Sequence, residues 1–123
     1  MDISIPDHIQ RHTSAFVRSL LSYADDAPGA SDVDFAIHPG GKTILECVEV
    51  ACALRREQTR HSWDVLRDFG NMSSGTVLFV IDRLRKDSRR KEWAIGMAFG
   101  PGLSMEGVLL HKPKDLYRVY IQL

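Results

Sequence analysis

The chain has 123 residues, 44% of them hydrophobic and 26% charged, a composition that supports one ordinary globular domain and excludes disorder throughout. Sixteen basic residues balance sixteen acidic ones, so no global field recruits nucleic acid or an anionic membrane, and neither is expected as a partner. No window approaches the roughly 20 apolar residues of a membrane span, and Met1 to Gln10 has no basic leader followed by an apolar stretch, so a cytoplasmic location is expected.

In chain order, Ile9, Phe16, Val17, Leu20 and Leu21 recur at helical spacing and predict an amphipathic helix from Pro6 to about Ala24, with Pro6 and Asp7 suited to its first turn. Asp25 to Asp32 collects Pro28, Gly29 and Ser31 and reads as a loop. Val33, Phe35 and Ile37 then alternate with Asp32, Asp34 and Ala36, predicting a short strand that ends at His38. Ile44, Leu45, Val48, Ala51 and Cys52 mark a second helix; Trp63, Leu66 and Phe69 mark a third, which stops at Gly70.

Thr76 to Ile81 is an unbroken apolar or β-branched run that fits a buried strand as well as a buried helix. Helix is preferred because Ser73 or Ser74 can cap its start, Leu84 extends the apolar face, and the basic stretch Arg83 to Lys91 complements a helix C-terminus. Trp93 to Phe99 and Met105 to His111 read as a terminal hairpin around Gly100-Pro101-Gly102.

Two stretches carry chemistry. In His38-Pro39-Gly40-Gly41, Pro39 holds His38 extended and the glycines allow a close approach or a sharp change of direction, which puts an imidazole at the mouth of a strand-to-helix loop. In Gly70-Asn71-Met72-Ser73-Ser74, Asn71 stands just before a helix whose N-terminal amides favour negative charge. Two such donors suit the oxygen of an enolate. Taken singly, each is an ordinary turn or helix-boundary residue.

Together the motifs are far more specific. Their order, the thirty-three-residue separation of His38 from Asn71, and the later Phe99-Gly100-Pro101-Gly102 resemble the C-terminal third of a chalcone synthase-like, type III polyketide synthase. The similarity extends through Ile44-Leu45 and Val77-Leu78-Phe79 to Gly107-Val108-Leu109-Leu110-His111. It implies an α/β fold, the C-terminal half of a thiolase-like domain, with a mixed sheet, helices on both faces and a buried central helix starting near Ser73. Residues 1–123 are then a single, incomplete domain.

The resemblance also implies roles. His38 matches the catalytic histidine that assists thiolate formation and stabilises oxyanions, and Asn71 its partner in malonyl decarboxylation. Thr43 falls where the pantetheine arm of coenzyme A passes. Ser73 matches a pocket position that helps set starter size and chain length; Phe99, Gly100, Pro101 and Gly102 match the loop shaping the cyclisation cavity. Ala98 departs from the glycine of many plant members, which alters that cavity's shape. Acyl-CoA and malonyl-CoA are the implied substrates, with no resident cofactor.

The family's cysteine nucleophile, most of its coenzyme A-binding basic residues and much of its dimer interface lie upstream of the matched region. Cys47 and Cys52 lie in the second helix without the nucleophile's glycine-flanked context and read as reduced core thiols. Two classes follow: an acyltransferase site completed by an N-terminal synthase half, or a non-catalytic remnant or modulator that binds a full-length synthase. No other constellation competes. His8 and His12 lie one helical turn apart without a third metal ligand, and the cluster Arg83 to Lys91 reads as a charged helix end.

Overall fold

The structure, a computed structural model, describes residues 4–71, 75–99, 104–112 and 118–122. Its elements are α1 (Ser4–Leu21), β1 (Asp34–Ile37), α2 (Lys42–Cys52), α3 (Arg60–Phe69), α4 (Thr76–Lys86), β2 (Trp93–Phe99), β3 (Met105–His111) and β4 (Arg118–Gln122), with 3-10 turns at Ala30–Asp32 and Arg56–Thr59. The strands form one mixed sheet in the order β1-β2-β3-β4. β1 and β2 are parallel, with Ile37 opposite Met97; β2, β3 and β4 form an antiparallel meander.

Alternation along the strands divides the core between the two faces. Phe35, Ile37, Ile95, Met97 and Leu109 pack with Val17, Leu20, Leu45 and Val48 of α1 and α2. Ala36, Ala94 and Leu110 turn to the opposite face, against Val65 of α3 and Val80 and Leu84 of α4. Small residues set both spacings. A Cβ on Gly107 would lie 2.7 Å from the Phe16 ring and 2.9 Å from Leu20 Cδ1, so glycine there lets α1 lie close on β3.

The ambiguous apolar run is helical because only one of its faces meets the sheet. Thr76, Val80 and Leu84, at i, i+4 and i+8, are buried, while Leu78 and Phe79 are 66% and 49% exposed. Within this chain the expected central helix therefore keeps an uncovered apolar face.

Several boundaries differ from expectation. β1 ends at Ile37, one residue before His38, and α1 runs from Ser4 to Leu21 because Ser22 to Ala24 continue as tightened turns. The N-cap of α4 is Gly75, which offers no side-chain cap; Ser73 and Ser74 lie outside the described residues. β4 and both 3-10 turns were not expected. The stop at Gly70 is as expected: its φ is +67° and its N–H donates to the Leu66 carbonyl at 2.9 Å. Among the described residues, no helix is long and apolar enough to cross a membrane.

Candidate active site

His38 leaves the carboxyl end of β1, where its backbone N–H still donates to the Met97 carbonyl at 2.7 Å. A tight turn follows, Gly40 N–H donating to the His38 carbonyl at 2.9 Å, and α2 begins after Gly41. Pro39 is buried and His38 half-buried. Its Nδ1 is shielded from solvent without a hydrogen-bond partner among the described residues, and burial pushes the imidazole pKa below its ordinary value. A neutral ring is the consequence. The neighbouring glycines leave room: nothing lies within 4 Å of a Cβ at Gly41, and one at Gly40 would make only ordinary contact with His38.

The other expected residues fall as follows. Thr43 is exposed in the first turn of α2. Phe99 ends β2 and packs, half-buried, against the α1–α2 core. Asn71 is exposed just past the C-cap of α3. Helix α3 runs alongside β1 in the same direction, since Arg60 Nη1 donates to Asp34 Oδ1 at 2.9 Å while Ser62 Oγ, further on, accepts the N–H of Ile37 at 2.9 Å. It lies antiparallel to α4, with Phe69 against Phe79 at one end and His61 against Asp87 at the other. The topology thus brings His38, Asn71, Phe99 and the start of α4 to one end of the sheet. Ser73, Gly100, Pro101 and Gly102 lie outside the described residues.

At that end, Val77, Leu78 and Ile81 of α4 face Gly96, Ala98 and Val108 across an open apolar groove of about 300 Å³. The thiols lie on α2, where burial, aided by Glu46, raises the pKa of Cys47, and burial raises that of Cys52 to about 11, which disfavours the thiolate. The basic stretch is largely absorbed by carboxylates, Arg83 pairing with Asp68, Arg85 and Lys86 with Asp82, and Arg89 with Asp87. Among the described residues, no three His, Cys, Asp or Glu side chains form a metal-holding group.

Sequence reasoning missed the groups that brace this site. Glu49 Oε2 accepts from Thr59 Oγ1 at 2.7 Å, Arg56 Nε at 3.0 Å and Trp63 Nε1 at 3.2 Å, joining α2 to α3. Ser62 had a readable signal. It opens the stripe Ser62, Val65, Leu66, Phe69 at i, i+3, i+4 and i+7, so a polar atom had to enter the core with a partner.

A parallel strand pair continued by an antiparallel meander, covered by helices on both faces, is part of the C-terminal half of a thiolase-like fold. The chain belongs to the family of chalcone and stilbene synthases, C-terminal domain, whose model matches residues 1–113. It is 43% identical over 114 residues to "Probable polyketide synthase 1" of Dictyostelium discoideum, covering 89% of this chain and 4% of that protein. To type III polyketide synthase A of Arabidopsis thaliana it is 36% identical over 112 residues, covering 86% of this chain and 28% of that one. Among solved structures, the C-terminal type III polyketide synthase domain of Steely1, a type I/III hybrid from Dictyostelium, superposes with a TM-score of 0.84 at 42% identity, covering 91% of this chain and 32% of that one. The chain therefore spans under a third of the curated relatives named here.

Proposed function

We propose that this chain supplies the histidine–asparagine half of a type III polyketide synthase site, which extends an acyl-CoA starter with malonyl-CoA by decarboxylative condensation. The carrying observation is that His38 leaves the carboxyl end of β1 at the same end of the sheet as Asn71, where burial favours its neutral form. In the reaction, the bond between the malonyl carboxylate and the α-carbon breaks, carbon dioxide leaves, and the electron pair becomes an enolate. A His38 ring N–H and the Asn71 amide donate to the enolate oxygen. The enolate carbon then attacks an acyl thioester held on a cysteine outside this sequence, expelling the thiolate. A complementary N-terminal half brings that cysteine, and the exposed Leu78 and Phe79 of α4 are the face it covers. We place the reaction in cytosolic secondary metabolism.

Burial raises the pKa of both Cys47 and Cys52, which argues against either serving as the missing nucleophile. The exposed Leu78 and Phe79 also suit a second reading, in which the chain docks on a full-length synthase without catalysing. The test is release of carbon dioxide from malonyl-CoA, with and without an N-terminal half from a related synthase. Decarboxylation that needs His38 and Asn71 supports the first reading; equal rates in native chain and His38→Ala, Asn71→Ala double variant favour the second.

A further inference from the structure

Among the described residues β1 is an edge strand, and the amides on its outer side face no neighbouring strand. His38 N–H bonds toward β2, so alternation turns the N–H of Ile37 outward. Two side chains stand where that neighbouring strand would be. Gln58 Nε2 donates to the Val33 carbonyl at 2.8 Å, and Ser62 Oγ accepts the Ile37 N–H at 2.9 Å. Gln58 and Ser62 are one helical turn apart and both buried, at 3% and 0% exposure. They pin the start and the end of the strand to a single rigid segment. Ile37 directly precedes His38, and the helix bearing Ser62 leads through Gly70 to Asn71.

We propose that Ser62 is a positioning residue that fixes the His38 backbone relative to the helix carrying Asn71, so that both side chains reach the same substrate oxygen. The catalytic consequence rests on the function proposed above; the geometric one does not. Without the hydroxyl, the Ile37 N–H is buried and unpaired, and the strand end can relieve this only by moving, taking His38 with it. Threonine keeps the acceptor. Valine has nearly its shape and lacks it.

The experiment is NMR on the full chain as wild type, Ser62→Ala, Ser62→Val and Ser62→Thr, reading Ile37 amide exchange and the His38 imidazole titration, with malonyl-CoA decarboxylation measured in parallel. We expect Ala and Val to speed Ile37 exchange about tenfold relative to Ile95 in β2 and to move the His38 midpoint toward that of free imidazole. Thr should restore both. Decarboxylation should fall in Ala and Val and return in Thr. Unchanged Ile37 exchange and His38 titration in Ala and Val would overturn the proposal, as would a Thr variant that behaves like Ala. Should Ala and Val not fold, wild type and Thr decide: a protected Ile37 amide and one shared His38 midpoint sustain the proposal, and an amide exchanging like an unstructured one ends it. If His38→Ala leaves decarboxylation unchanged while the NMR changes occur as expected, the catalytic reading fails and the positioning role stands.

Discussion

The two ends of the sheet differ in how their polar groups are satisfied. At the start of β1, Asp34 is 2% exposed and takes Arg60 Nη1 at 2.9 Å and the Lys91 N–H at 2.7 Å. Arg60 Nε donates to Asp87 Oδ2 at 3.1 Å, and its Nη2 lies 3.0 Å from the same oxygen, an ion pair too poorly angled for a hydrogen bond. His61 Nε2 reaches that carboxylate at 2.9 Å. The Arg89 amide and side chain, followed by Arg60 and His61, hold Asp87 well below the usual carboxylate range. The carboxylates here are answered within the chain, although Arg60 Nη2 and Arg90 Nε are buried without a hydrogen-bond partner among the described residues, and the assembly ties β1, α3, the end of α4 and the start of β2 together. At the other end, His38 Nδ1 lacks a partner among the described residues, the groove beside α4 is open, and Leu78 and Phe79 face solvent. Closure at one end supplies rigidity; openness at the other leaves room for the substrate and the partner proposed above.

The strongest way to break this contrast is to remove Asp34. Asp34→Ala leaves a buried guanidinium short of its partner and should cost about 3–5 kcal/mol in urea unfolding, with the loss appearing as lower stability of the whole chain. A change under 1 kcal/mol would mean that this end does not hold the fold.

At the open end the effects should reverse. His38→Ala with Asn71→Ala should lower malonyl-CoA decarboxylation by about a hundredfold, while unfolding free energy shifts by less than about 1 kcal/mol. Because burial depresses the His38 pKa, its imidazole should stay mostly neutral as pH falls to the ordinary value of 6.5 and titrate below it, read by NMR of the ring protons. A midpoint at or above 6.5 would show an imidazole that is not shielded.

Acid sharpens the comparison further. Asp87 has a folded pKa below the ordinary 3.8, so its contribution is present in full above that value and is lost as pH falls from there toward the folded value. The difference in melting temperature between wild type and Asp87→Asn should therefore shrink steadily below pH 4. Asp68 and Asp82, lowered by their neighbouring arginines, titrate alike in both proteins and cancel. A difference that stays constant down to pH 2 would place the stabilisation outside the carboxylate's charge.

The smallest effect belongs to the uncovered face. Leu78→Ser should change stability by less than about 0.5 kcal/mol, since Leu78 is 66% exposed, yet reduce hydrophobic-dye binding and association with an N-terminal synthase half. Loss of folding in that variant would mean the face is already used within the chain.

Local sequence determined much of this protein. Helical spacing placed α1, α2 and α3, alternation placed β1, the Gly100-Pro101-Gly102 loop placed the hairpin, Gly70 marked its own stop, and the histidine and asparagine motifs stood out through their resemblance to the synthase pattern. These signals survive in one dimension because each depends on neighbours within a turn or a strand. Tertiary structure decided the rest. The Thr76 to Ile81 run became a helix when one face met the sheet and the other did not. Asp34, Arg60 and Asp87 are far apart in sequence, and only the packing of α3 and α4 against the sheet brings them to one point. Ser62 acquired its partner because β1 is an edge strand whose outward amides need acceptors, and which helix covers an edge depends on how the whole chain packs.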